Sequence, residues 1–216
     1  GSAYIFKRSG TSWSQQAKLQ ADDGATGDRF GKAVALSGDY AVIGAYNDTT
    51  SATGTGSAYI FKKDTGAETW TQKQKLTASD AAANDYFGYK VEISGDTAII
   101  GAYFADPGGV SGAGAAYVFK RTGEIWTEVK KLTASTHATV DGRFGEGLGV
   151  SDDTILVSAG YNDVDGVTHA GALYVYDPQL IKNYYINEVG KYSVDATIAG
   201  LKYKTNEVDV TSLNIP

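Results

Sequence analysis

The side chains able to do chemistry are mostly acids set in short polar stretches. Asp and Glu number 25 against 19 Lys and Arg, and there are two histidines, His137 and His169. Asn162-Asp163-Val164-Asp165-Gly166 places oxygen donors at alternating positions before a glycine. That pattern suits a calcium loop, so Asn162, Asp163 and Asp165 are the metal candidates, without the distal Glu that completes an EF-hand. His137 and His169 share no metal-ligand spacing and read as solvated loop residues. Cys is absent, which excludes a disulfide frame, a thiolate zinc site and a thiol nucleophile. No Gly-x-Ser-x-Gly elbow, phosphate loop or His-Glu-x-x-His occurs. No catalytic residue and no required cofactor follow from the sequence, and the expectation is a protein that is not an enzyme. Asn47-Asp48-Thr49 is a sequon, making Asn47 a candidate glycosylation site in a secreted setting.

Those acids must be positioned by something, and the chain repeats itself. Gly1-Ser-Ala-Tyr-Ile-Phe, Gly56-Ser-Ala-Tyr-Ile-Phe, Gly114-Ala-Ala-Tyr-Val-Phe and Gly171-Ala-Leu-Tyr-Val-Tyr recur about 57 residues apart. Trp13, Trp70 and Trp126 follow three of these, each ahead of a Lys-Leu pair. Phe30-Gly31, Phe87-Gly88 and Phe144-Gly145 open alternating apolar runs that end at Ser37-Gly38-Asp39, Ser94-Gly95-Asp96 and Ser151-Asp152-Asp153. A second run closes with Gly44-Ala45-Tyr46, Gly101-Ala102-Tyr103 and Ser158-Ala159-Gly160-Tyr161. The period of two along these runs suits strands, and no window shows a convincing helical period. Four antiparallel strands in about 57 residues form one propeller blade. In sequence order they are strand A (after Phe-Gly), B (ending Gly-Ala), C (Tyr-x-Phe) and D (Trp).

The Phe30-Gly31 … Gly44-Ala45, Phe87-Gly88 … Gly101-Ala102 and Phe144-Gly145 … Ser158-Ala159 pairs resemble FG-GAP repeats, known from integrin α-subunit propellers and from many surface proteins. The resemblance covers residues 1–177 and implies an extracellular or cell-surface propeller that binds partners. The proline of the family's Gly-Ala-Pro is replaced by Tyr46, Tyr103 or Tyr161, and the third copy has Ser158 for the first Gly. In integrin-type blades calcium is held between strands A and B, but here that connection is a tight turn with one or two carboxylates. Calcium needs six to eight oxygens, so the usual site is expected to be absent and calcium is left to the long loops.

The fold class expected is all-β: a partial or open propeller of about three to four blades with a hairpin or sandwich-like extension. Residues 1–20 supply strands C and D of one blade, and further blades run over about 30–77, 87–134 and 144–176, the last without a Trp-bearing strand D. Residues 178–216 alternate Tyr192, Val194, Ala196 and Ile198 with polar residues and turn at Gly200, forming a β-rich extension or the start of a second β domain. A seven-blade ring would need on the order of 400 residues. The favoured reading is therefore a segment of a longer propeller; the alternatives are completion by another chain, or closure by residues 178–211.

In an up-and-down blade the long D–A and B–C loops leave the same end. They carry Asp22, Asp23, Asp28, Asp48, Asp80, Asp85, Asp106, Asp141, Asp163 and Asp165, an acidic face that is the candidate binding surface. The competing reading is that these acids make soluble turns. Lys7-Arg8, Lys62-Lys63 and Lys120-Arg121 fall near the opposite end. The tryptophans, at one blade position, read as packing residues and not sugar platforms. A formal charge of −6 disfavours nucleic acid and anionic lipid, and no stretch approaches the roughly 20 apolar residues of a bilayer span. Three functions are expected: adhesion, through binding of a protein or glycan; a filament or sheath subunit sharing strands with copies of itself; or the accessory propeller of a carbohydrate-active enzyme.

Overall fold

The computed structural model describes residues 1–64, 66 and 68–176, and beyond them the backbone of short strands between 183 and 209. It is all-β. β1 (Ala3–Ser9) and β2 (Ser12–Leu19) form a two-stranded sheet. β3 (Ala33–Ser37), β4 (Tyr40–Ala45), β5 (Ser57–Lys63) and β6 (Trp70–Leu76) form a four-stranded antiparallel blade in sequence order. β7 (Lys90–Ser94), β8 (Thr97–Ala102), β9 (Ala115–Thr122) and β10 (Ile125–Leu132) repeat it. β11 (Phe144–Ser151), β12 (Thr154–Ala159) and β13 (Ala172–Tyr176) begin the third. β7 packs on β3 and β4, and β11 on β7 and β8, so successive blades meet through their inner strands as in a propeller.

β14 (Asn183–Glu188) pairs antiparallel with β13 and takes the outer position that β6 and β10 hold elsewhere. β15 (Lys191–Asp195) and β18 (Val208–Asp209) extend the same sheet, while β16 (Thr197–Ile198) pairs with β17 (Leu201–Lys202). The Tyr192–Val194 alternation thus lies on a strand added to the third blade. The expected turn at Gly200 and the boundary at 177–178 lie outside the described residues.

The core lies between blades, in three clusters. Ile43 and Phe61 face Ala3 and Leu19; Val42 and Ile60 face Val91 and Tyr117; Ile99 and Val118 face Val157 and Tyr174. Each Phe of Phe-Gly turns onto its own strand C: Phe30 meets Tyr59 edge-on at 5.5 Å, Phe87 meets Tyr117 at 5.4 Å and Phe144 meets Tyr174 at 5.0 Å.

The glycines of the signature have a steric cause. A Cβ on Gly44 would lie 1.9 Å from the Gly88 carbonyl oxygen, and one on Gly101 would lie 2.1 Å from that of Gly145. Phe-Gly of one blade therefore presses backbone to backbone on Gly-Ala of the blade before. Gly56 and Gly114 bridge in parallel to Phe87 and Phe144 at the same joint. At the other end, the Ser37 hydroxyl accepts the Gly95 N–H and the Ser94 hydroxyl accepts that of Asp152, so Ser-Gly-Asp turns link blade to blade.

Trp126 is buried and meets Tyr40 of the preceding blade edge-on at 5.8 Å, which makes it a packing residue. Trp70 is half-buried, and its indole N–H donates to Gln16 of the preceding sheet. Trp13, on the first sheet, is exposed. A bulge at Gln16, Lys73 and Val129 interrupts the C–D pairing of the three sheets that carry a tryptophan strand and bends the outer strand, which blunts the edge.

Candidate functional site

The Phe-Gly joints, the ends of the B strands and the long loops share one end of the array. There the phenylalanine N–H must reach the previous blade's loop: Phe87 donates to Thr55 at 3.0 Å and Phe144 to Ala113 at 2.8 Å. To do so the chain adopts a left-handed conformation one residue earlier, at Arg29 (φ 62°), Tyr86 (φ 57°) and Arg143 (φ 57°). Glycine would be least strained in that conformation, and a non-glycine residue costs on the order of 1–3 kcal/mol. Three blades in succession place a large side chain there.

Tyr86 and Arg143 join a continuous aromatic belt, and Arg29 stands beside it. Lys32 lies over the Tyr89 ring, and Tyr89 packs on Tyr46 and Tyr103. Tyr86 meets Tyr46 edge-on, stacks on Tyr103 and touches Phe104. The Arg143 guanidinium then sits between Phe104, at 5.6 Å, and Tyr161, at 4.0 Å. The four central tyrosines and Phe104 are half-buried and Tyr161 is exposed, so ring surface remains open to solvent. Burial first, and then the neighbouring Tyr89 and Tyr86, push the Tyr103 hydroxyl above its ordinary value, with Arg143 pulling the other way. It stays a neutral donor. Beside the belt, Arg29, Lys32 and Tyr46 line an open cleft of about 510 Å³.

Most of the acids expected to form the binding surface have local duties. Tyr59 donates between Asp23 and Asp48, 2.9 Å from each, and Lys75 pairs with both at 2.5 and 2.7 Å. Asp80 repeats the arrangement with Tyr117 at 2.7 Å and Lys131 at 2.6 Å. Burial would raise the carboxyls of Asp23 and Asp80, but the lysine and tyrosine hydrogen bonds outweigh it and hold both below their ordinary value. Asp28 and Asp85 are buried and accept the N–H groups of Ala25 and Ala82. For Asp85 burial wins and the carboxyl is pushed up. Asp106 accepts the Gly112 N–H, and Asp22 and Asp141 are exposed. At the opposite end Lys7, Lys62, Lys63, Lys120 and Arg121 all pair with carboxylates.

Asn162, Asp163 and Asp165 do meet, with His137, around a cleft of about 220 Å³. The buried Asn162 spends its side chain there: its Oδ1 accepts from the Thr139 N–H and hydroxyl, and its Nδ2 donates to the His137 carbonyl. Asp163 accepts the His169 N–H. Among the described residues no three His, Cys, Asp or Glu side chains are grouped to hold a metal ion. Asn47 is half-buried and donates to the Gly27 carbonyl.

Sequence reasoning passed over the belt. Its trace was there, in three tyrosines standing where the family has proline and in the large residues beside each Phe-Gly.

Blades joined in this way, with their long loops and belt on one face, define a propeller-type repeat protein. The FG-GAP repeat matches residues 13–61, 70–119 and 126–176, about two thirds of the chain, which therefore belongs to the FG-GAP repeat family. A comparison with curated proteins finds no match. FG-GAP repeats typically occur in extracellular proteins, and among the described residues no helix is long and apolar enough to cross a membrane.

Proposed function

We propose that this chain is a non-enzymatic binding segment of an extracellular or cell-surface propeller, engaging a protein or glycan through its long-loop face and serving adhesion. The aromatic belt carries this reading. It spans successive blades, retains strained non-glycine residues, and offers open ring surface that no interblade contact uses. A glycan and matrix-protein array probed with the wild type and with a Tyr86→Ala/Tyr103→Ala double variant tests it. At least one hit is expected to weaken tenfold or more in the variant; if every hit survives unchanged, this face does not bind.

A second reading, assembly by strand sharing, starts from the face that β3 turns towards the first sheet. Val34 and Leu36 are 60% and 59% exposed, whereas the equivalent Val91 and Ile93 are 0% and 7% exposed under β3 and β4. Between β1 and β3 runs a cleft of about 460 Å³ lined by Tyr4, Phe6, Val34 and Leu36. An A–B hairpin fills this position in the other blades, so a Phe-Gly … Gly-Ala hairpin is the element that fits it, and this reading takes that hairpin from a second copy. Light scattering over a range of concentrations tests this: growth into oligomers supports it, and a monomer throughout overturns it.

A further inference from the structure

The cations of the belt differ in one electrostatic respect from the lysines that serve the acids of the same face. Lys75 pairs with Asp23 and Asp48, and Lys131 with Asp80. Arg29, Lys32 and Arg143 have no carboxylate partner among the described residues, and the Nε of Arg143 is buried without an acceptor. The Arg143 guanidinium lies against two rings, so it is positioned but its charge is not neutralised. The cations lie at the two ends, Arg29 and Lys32 at one and Arg143 at the other, with Tyr46, Tyr89, Tyr86, Tyr103 and Phe104 between them. Neighbour-to-neighbour separations run from 4.0 Å (Arg143 to Tyr161) to 5.9 Å (Tyr86 to Tyr103), so the track has no break.

We propose that the ligand of this face is an anionic saccharide bearing carboxylate or sulfate groups on its rings; this rests on the binding function proposed above. Half-exposed aromatic faces suit the C–H faces of pyranose rings, which need no charge to pack. The unpaired guanidinium and ammonium groups suit carboxylate or sulfate, which a fork of N–H donors grips best. The formal charge of −6 repels a dense polyanion at a distance, so sparse, spaced charge fits better than a fully sulfated chain.

The test is calorimetric titration with hexasaccharides: hyaluronan (carboxylate on alternate rings), chondroitin sulfate (carboxylate and sulfate) and maltohexaose (uncharged). Binding of either anionic oligomer, weakened at least tenfold by Arg143→Gln and by Tyr103→Ala, is expected, with affinity falling as salt rises. Lys32→Gln, an exposed substitution that leaves the packing intact, is expected to weaken the same binding several-fold. Hyaluronan binding assigns carboxylate recognition, and binding of chondroitin sulfate alone assigns sulfate. Equal binding of maltohexaose, binding of neither anionic oligomer, or anionic binding indifferent to these variants overturns the proposal. An array hit lost in the tyrosine double variant would then leave the binding face standing and remove only its anionic ligand.

Discussion

Replacing Gly88 by alanine isolates the contact that joins the blades. The new Cβ would lie 2.2 Å from the Ser57 carbonyl oxygen and 3.2 Å from the Ala45 nitrogen, in a backbone with φ of +89°. Both neighbours are main chain, so no side chain can swing away, and the blades must part by about 1 Å to restore ordinary contact. Left-handed strain costs roughly 1–2 kcal/mol and overpacking a further 1–3 kcal/mol, so a loss of about 2–5 kcal/mol is expected. Gly95 is the control, with φ of +53° and nothing within 4 Å of the point where an alanine methyl would stand. Gly95→Ala carries the strain alone and should cost about 1–2 kcal/mol. Urea unfolding followed by tryptophan fluorescence and circular dichroism measures both. Equal losses at the two positions would refute the backbone-on-backbone joint, because only that joint distinguishes them.

Three further outcomes are expected. Phe87→Ala removes a fully buried ring packed on Tyr117 and Phe119 and should cost about 3–5 kcal/mol by urea unfolding; a near-zero cost would take Phe87 out of the core. The Asp80 carboxyl, held below 3.8, stabilises the fold when ionised, and that contribution is lost as pH falls through its folded value. Melting temperature should therefore fall less steeply from about pH 5 to 3 in Asp80→Asn than in the wild type, and parallel curves would discard the Lys131–Asp80–Tyr117 contribution. A calcium chelator should shift the melting temperature by no more than a few degrees, since Asn162 is committed to Thr139 and His137; a drop of tens of degrees would reveal a structural ion.

The blade was legible because its constraints are local and repeated. Alternation at Val91 and Ile93 marks a strand, and a repeated glycine marks a place where no side chain fits. The acids were legible as positions but not as roles. Whether Asp80 faces solvent or Tyr117 depends on a strand 37 residues away, which no spacing rule reveals. The belt was missed for a related reason: its rings come from three blades and meet only once the blades are fanned. The place of β14 was equally hidden, because it lacks the tryptophan that marks its counterparts.

The matched segments begin at a tryptophan strand and end at a Tyr-x-Phe strand, so each unit straddles two blades. Its first strand completes the sheet of the unit before it: β6, from the second unit, hydrogen-bonds to β5, from the first. Pulling adjacent units apart therefore means unzipping a backbone ladder as well as separating two greasy surfaces. A tether built in this way resists tension at every seam, and melting one unit exposes a raw edge on the next.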